Sequence, residues 1–534
     1  MPNHQQSDRL SWGDTVFLHM EREGMPLNVA SVCIFEGEIS RADCIQFVES
    51  KLPLLPRYLK RVVAPPLGIG LPSWEYDPDF DLSRHIREKT LAHGTEVELK
   101  AFAGKLFSHL MDRNHPLWDI TLVHGLKEKR TAVIFRLHHC LADGIAGVGI
   151  LNILLDASPT APRLPKKRIK FTIPPPLDPL SSLTGGVVDS YADLAQRILS
   201  AMADLLNMGE RAAMNGGQIL PTDELGDLLP EITAFTERLR FNVKYEGPQK
   251  FAWADVPLGE VKQIGHTFGA SVNDVILALV TASIRRYVEF HGDRAKGRLF
   301  RMMVPVNLRG KDCNTELGNR ISIIPVTVPL DIRNPKKLLQ AVHRRTEFLK
   351  RSHAAEIVSL SAGFIGMLPT GLQAVIGPAL SQLPITPFNL VCTNVPGPQY
   401  PLYLLGRRML HWYPYVPVGG EMSVNCAVLS YDGNIGFGFS GDKHAAPDLR
   451  RLEEFLEVSF AELREAAGLE PPRENSSPNR KMTRVRTRSS KLKPASQPAM
   501  SVLSSIPLTV PAPPAETAAP APVAEEEKIL ATVA

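Results

Sequence analysis

TAVIFRLHHCLADGIAGVGIL, residues 131–151, is the stretch from which the rest of the chain is read. Its first nine residues are rich in β-branched and aromatic types, the composition of a strand. Successive side chains of a strand point to opposite faces. Val133, Phe135, Leu137 and His139 therefore share one face, and Arg136 and His138 share the other. The strand gives way to a loop, and a helix starts near Gly144 with Ile145, Val148 and Leu151 as its apolar face. Gly144, Gly147 and Gly149 let that helix lie close against its neighbours.

A histidine at a strand end, beside a helix start, is well placed for proton transfer. Its ordinary pKa of about 6.5 suits a general base, and a hydroxyl needs such a base before it attacks a thioester. Asp143 caps the helix N-terminus or anchors the loop through an arginine, and the residues alone leave both readings open. His138 and His139 do not read as metal ligands. Adjacent strand residues face opposite ways, and no third ligand stands at a suitable spacing.

Working outward, residues 1–160 form one α/β unit. VASVCIFEG (29–37) reads as a strand, RADCIQFVESKL (41–52) and VELKAFAGKLFSHLM (97–111) as helices, and WDITLVHGL (118–126) as the strand preceding 131–139. Residues 161–245 read as a connector, Pro-rich and basic at 162–176, then helical with Val188, Tyr191, Leu194, Ile198, Met202 and Leu205 on one stripe. That helix packs over the domain junction or lies on a membrane surface. Residues 246–468 form a second α/β unit, with a long helix (270–288), strands at 300–308, 321–330 and 388–398, a hairpin turning at Asp432-Gly433, and a closing amphipathic helix (449–468). Beyond 468 the chain becomes basic and then Pro/Ala-rich, with too little apolar surface to fold, and is expected to be disordered.

The 534 residues carry a formal charge of only +4, which does not suggest a nucleic-acid binder. Six cysteines are scattered without paired spacing and read as buried, reduced thiols. The polar N-terminus has no secretory h-region, and no apolar run reaches the length of a spanning helix, so a cytoplasmic location is expected by default.

His138-His139-x-x-x-Asp143-Gly144 arises by chance in roughly one chain in a thousand of this length. It resembles the active-site motif of the CoA-dependent acyltransferase superfamily, which includes chloramphenicol acetyltransferase and peptide-synthetase condensation domains. LSWGDTVFLHME (10–21), Pro116-Leu117-Trp118, Asn273-Asp274, VPVNLRG (304–310), LGNRIS (317–322) and TNVPGP (393–398) narrow the resemblance to the bacterial wax ester synthase/diacylglycerol acyltransferase family, in that family's order. The resemblance implies two chloramphenicol-acetyltransferase-like domains with a substrate tunnel between them and His139 at its midpoint. It implies direct transfer of a fatty acyl group from acyl-CoA to diacylglycerol or a long-chain alcohol, with His139 as general base, His138 in support, and Asp143 and Gly144 holding the motif. No cofactor is implied beyond acyl-CoA as co-substrate.

A structural arginine partner for Asp143 is also implied, and Arg309 is the candidate. Ser271-Asn273-Asp274 reads locally as a helix cap, and the family places Asn273 and Asp274 beside the substrate, Asn273 as a donor to the developing oxyanion. The uncharged stretch 357–406 is a buried core segment or a wall of the tunnel. The alternatives to this function are an acyltransferase for another hydroxyl and a non-catalytic lipid-droplet binding protein. The intact second histidine argues against the latter. Water-insoluble substrates imply work at a membrane or lipid-inclusion surface.

RKMTRVRTRSSKLK (480–493) holds seven basic and no acidic residues, a composition that attracts anionic lipid. Deleting residues 472–534 is expected to weaken binding to anionic vesicles, more so at low salt, while turnover of a short soluble alcohol survives. Unchanged vesicle binding would refute a tethering role.

Overall fold

The computed structural model describes residues 9–65, 71–160, 195, 236–307, 321–351 and 388–470. The connector helix at 188–205 (apart from Ala195), Arg309, residues 317–320 of LGNRIS, the stretch 357–387 and the basic tail lie outside the described residues.

Through residue 160 the elements are α1 (Trp12–Met20), β1 (Asn28–Phe35), α2 (Arg41–Lys51), β2 (Lys60–Val63), β3 (Ser73–Tyr76), α3 (Leu82–His85), β4 (Ile86–Thr90), α4 (Glu96–Phe107), β5 (Trp118–His124), β6 (Thr131–His138) and α5 (Gly144–Leu154). From residue 246 they are β7 (Gln249–Pro257), α6 (Leu258–Phe268), α7 (Val272–Phe290), β8 (Leu299–Asn307), β9 (Ile321–Pro329), α8 (Pro335–Arg351), β10 (Leu390–Pro396), β11 (Tyr403–Leu404), β12 (Arg407–Tyr415), β13 (Val424–Tyr431), β14 (Asn434–Asp442) and α9 (Arg451–Ala466).

Local chemistry starts and stops these elements. Ser11, Ser40, Thr95 and Ser271 each cap a helix by accepting a backbone N–H three residues on. Asp432 and Gly433, both at positive φ, turn the β13–β14 hairpin where the sequence placed it. Gly468, also at positive φ, follows the end of α9.

Two six-stranded sheets result, in the orders β11-β12-β1-β6-β5-β4 and β7-β14-β13-β10-β8-β9, beside a small β2–β3 ribbon. The α/β class is as read, but the division of the chain between the sheets is not. The second unit read over 246–468 is not self-contained, because β11 and β12 lie in the first sheet. There β12 pairs antiparallel with β1, Ala30 opposite Tyr415 and Cys33 opposite Trp412. Without that hairpin, β1 would present a row of unsatisfied backbone groups at a sheet edge.

The faces of the hairpin are used on both sides. The Trp412 indole donates to Ser31 Oγ at 2.8 Å, while Tyr413 stacks on Trp253 of β7 with centroids 4.8 Å apart. One core cluster accordingly joins Val32 and Ile34 of β1, Phe107 of α4, Phe251 and Trp253 of β7, and Tyr413 and Tyr415 of β12. The remaining core divides between the sheets. In the second, α7 is buried along most of its length, with Val275, Leu279, Tyr287 and Val288 almost fully enclosed. The five cysteines among the described residues are buried and unpaired by disulfides.

Helix α4 locks the two sheets together. Buried Lys100 reaches Glu96 and Glu453 at 2.8 Å each, and its ammonium sits 4.6 Å from the Trp253 ring centroid. One turn on, Gly104 lets the helix touch β7, for a Cβ there would stand 2.8 Å from the Gln249 carbonyl oxygen and 3.1 Å from Lys250 Cα. Gly104→Val is expected to destabilise the fold by about 1–3 kcal/mol, the usual cost of overpacking. Urea unfolding measures it, and an unchanged midpoint would show that this contact tolerates a side chain.

Candidate active site

The end of β6 is held by main-chain bonds before any side chain acts. His138 N–H donates to Leu117 O and His139 N–H to Leu27 O, both at 2.9 Å. The loop then turns into α5, whose N-cap is Asp143. Its carboxylate, almost fully buried, accepts the Ala146 N–H at 2.7 Å. The capping reading of Asp143 is thus observed, while the arginine reading rests on Arg309, outside the described residues.

His139 and His138 diverge, as the strand period requires, and do not converge on one ion. His139 stacks on Phe17 of α1, ring centroids 3.9 Å apart and planes 11° from parallel. Burial pushes its pKa down to about 4, against an upward push from a hydrogen bond to its own main-chain carbonyl, with His138 adding to the lowering. Burial keeps the ring neutral, with one nitrogen protonated and the other unprotonated.

His138 is fully buried on the other face. Its Nδ1 accepts the Cys140 N–H at 3.1 Å, which leaves the proton on Nε2, 3.3 Å from Glu21 Oε1. Glu21 also accepts the Leu27 N–H at 3.0 Å and Arg113 at 3.0 Å. Burial alone would raise the Glu21 pKa. The hydrogen bonds from His138, the Leu27 N–H and Arg113 overcome it and bring the group down to about 2, so it is ionised at neutral pH. Glu21 therefore holds Leu27 by its N–H, while the Leu27 carbonyl holds His139, and faces the His138 ring.

Sequence reading missed Phe17, Glu21 and Arg113 as site residues. Their only signal was that Phe17 and Glu21 belong to the opening 10–21 segment. Arg113 stands in a loop without periodicity, and only folding brings it to Leu18 O, at 2.8 Å, and to Glu21.

His139 opens onto a cavity of about 990 Å³. Its walls are mostly apolar and come from both sheets: Phe17, Trp118 and Phe135 from the first half, Gly144, Gly147 and Leu151 from α5, and Met303, Asn394 and Val395 from the second. Trp118 of the Pro-Leu-Trp element is fixed by its indole N–H, which donates to Tyr58 O at 2.8 Å. Asn394, within the strand read at 388–398, is a residue of β10 on the cavity wall.

Asn273 reaches the cavity wall indirectly, its Oδ1 accepting the Asn394 amide at 3.1 Å. Asp274, assigned to substrate from sequence, is built into the scaffold. It completes a capping box with Ser271 and accepts from Thr346 at 2.6 Å, with His343 Nδ1 at 2.9 Å. Burial raises its pKa, and these hydrogen bonds outweigh that and lower it, so the carboxylate stays ionised as a tie between α7 and α8.

The chain is similar to known proteins over most of its length. The model of the wax ester synthase/diacylglycerol acyltransferase catalytic domain matches residues 10–276, and that of the WS/DGAT C-terminal domain matches 317–464. The probable diacylglycerol O-acyltransferase tgs1 of Mycobacterium tuberculosis is 29% identical over 439 residues, 82% of this chain and 91% of the relative. The probable diacylglycerol O-acyltransferase tgs2 of the same species is 26% identical, covering 86% of this chain and 100% of the relative. Among solved structures, the wax ester synthase/diacylglycerol acyltransferase from Marinobacter aquaeolei superposes with a TM-score of 0.59 at 24% identity, over 86% of this chain and 100% of that one. The first condensation domain of the calcium-dependent antibiotic synthetase gives 0.55 at 14% identity, over 87% and 97%. Both show the shared fold.

Glu21→Gln keeps the shape of the side chain and removes its charge. Turnover is expected to fall at least about tenfold, a loss of about 1.4 kcal/mol from transition-state stabilisation, with KM little changed and the circular dichroism spectrum intact. Wild-type turnover in the variant would remove Glu21 from the machinery that positions His139.

Proposed function

Because the chain belongs to the wax ester synthase/diacylglycerol acyltransferase family, we propose that it transfers a fatty acyl group from acyl-CoA to the hydroxyl of diacylglycerol or of a long-chain alcohol, making triacylglycerol or wax ester, with His139 as general base. Acyltransferase activity is common to the family. The finer reading rests on one observation above all: a neutral, Phe17-stacked His139 in the wall of a large apolar cavity.

In this mechanism the unprotonated ring nitrogen of His139 takes the hydroxyl proton as the alcohol oxygen attacks the thioester carbonyl carbon. The tetrahedral intermediate collapses by breaking the carbon–sulfur bond, and the imidazolium returns its proton to the departing thiolate. No acyl-enzyme forms, and the bonds exchanged require no cofactor. His138, Asp143 and the Glu21 clamp keep His139 in place. Asn273 acts through Asn394, the amide on the cavity wall. The apolar lining suits hydrocarbon chains and excludes water, which limits hydrolysis of the thioester. Among the described residues no single helix is long and apolar enough to cross a membrane. A water-insoluble acceptor is then met at a lipid surface, with the basic run at 480–493 as the tether.

Purified protein supplied with palmitoyl-CoA and either diacylglycerol or hexadecanol is expected to release CoA and form the ester, and His139→Ala to abolish both while remaining folded. Ester formation by the folded variant would sink the base assignment. The pH profile is a second expected outcome. With a pKa near 4 the ring stays neutral well below its ordinary value, so the acidic limb of kcat/KM in the free enzyme lies near pH 4 rather than 6.5. Stability follows the same sign. The folded ring resists a proton that the unfolded ring accepts, so its contribution is complete above pH 6.5 and is lost as the pH falls towards 4.

A further inference from the structure

The cavity follows α5. Gly144, Gly147, Val148, Leu151 and Leu154, one stripe of the helix, all face it. Leu52, Leu55 and Tyr58 from the turns after α2, and Ile120 and Phe135 from the sheet, line the same cavity. Because α5 begins beside the His139 loop and runs away from it, a chain whose reacting end sits at His139 passes Gly147 before it reaches Leu151 and Leu154.

Gly147 is anomalous in this wall. A glycine inside a helix costs about 1 kcal/mol relative to alanine, and a close backbone approach or a positive φ is its usual justification. Neither applies here. A Cβ on Gly147 would meet no atom within 4 Å, whereas one on Gly144 would stand 3.1 Å from Val395 Cγ2. The space a side chain would occupy at 147 belongs to the cavity.

We propose that Gly147 sets the bore of the arm along α5 and so decides how long an unbranched hydrocarbon chain the enzyme accepts. The inference rests on the acyl-transfer reading above. The chain arrives on the thioester or on the alcohol, and the shared chemistry is a single saturated tail. A bulky side chain at 147 stops that tail about one helical turn past Gly144, well short of Leu154, and a methyl group narrows its path.

The test uses the full chain with Gly147→Leu, which keeps helix propensity and fills the arm, and Gly147→Ala, which adds one methyl group to open space. One series varies the donor from butyryl- to octanoyl- to palmitoyl-CoA with a fixed short alcohol. The other varies the alcohol from butanol to octanol to hexadecanol with a fixed short donor. In Gly147→Leu the long-to-short ratio of kcat/KM is expected to fall at least about tenfold in one series, which identifies the tail that uses the arm. Gly147→Ala should shift the same ratio in the same sense, about threefold, with a melting temperature equal to or above wild type, so a poorly folded Leu variant leaves the test standing.

Calorimetric binding of palmitoyl-CoA, octanol and hexadecanol is read in parallel and needs no turnover. Lost long-chain binding in the variants of a protein that turns over no acyl-CoA would sink the proposed function and keep the bore. Unchanged length dependence in both series and both variants overturns it.

Discussion

A single main-chain hydrogen bond, from His139 N–H to Leu27 O, carries the organisation of the site. It joins the end of β6 to the residue before β1, and Glu21 accepts the N–H of the same residue, Leu27. Leu27 is thus held at both its N–H and its carbonyl, and the carboxylate that holds it also faces His138. Position at His139 is set by backbone and buried charge, not by a chain of exposed side chains. The ring itself is stacked on Phe17, a contact that adds no net charge. A neutral imidazole in an apolar wall is the outcome of that arrangement.

The cavity depends on a second constraint, that two sheets be fastened while space is kept between them. The fastening is done away from the site, by Lys100 among Glu96, Glu453 and Trp253, by the close approach at Gly104, and by the Tyr413–Trp253 stack. Those contacts are dense, whereas the region beside α5 is open. Packing and openness are therefore assigned to different parts of the same junction, and the cavity does not compete with the core that stabilises the fold.

Much of this was legible in the sequence. The strand–loop–helix around His139 is local, so period-2 alternation placed His138 and His139 on opposite faces correctly, and the position of Asp143 before the helix offered the cap as one of two readings. The hairpin at Asp432-Gly433 was legible for the same reason. What escaped was non-local. Residues 403–415 carry strand composition, but nothing in PLYLLGRRMLHWYPY tells which sheet they join, because the partner β1 lies more than three hundred residues earlier. Glu21 and Arg113 are ordinary charged residues until folding buries the one and brings the other to it. Asp274 misled in the opposite direction: a capping residue and a substrate ligand look alike in sequence, and only the bonds from His343 and Thr346 separate them.

The placement of β12 has a consequence for how the chain is made. A protein is synthesised from its N-terminus, and most domains fold as they emerge. Here the first sheet lacks an outer strand until residue 415 has left the ribosome, so the early half waits with the edge of β1 exposed beside an apolar hollow. Folding is tied to completion of nearly the whole chain, a long-range closure of the kind that slows folding and invites association with other nascent chains. The two halves are best regarded as one kinetic unit, and a cut in the connector separates the first sheet from two of its strands, β11 and β12.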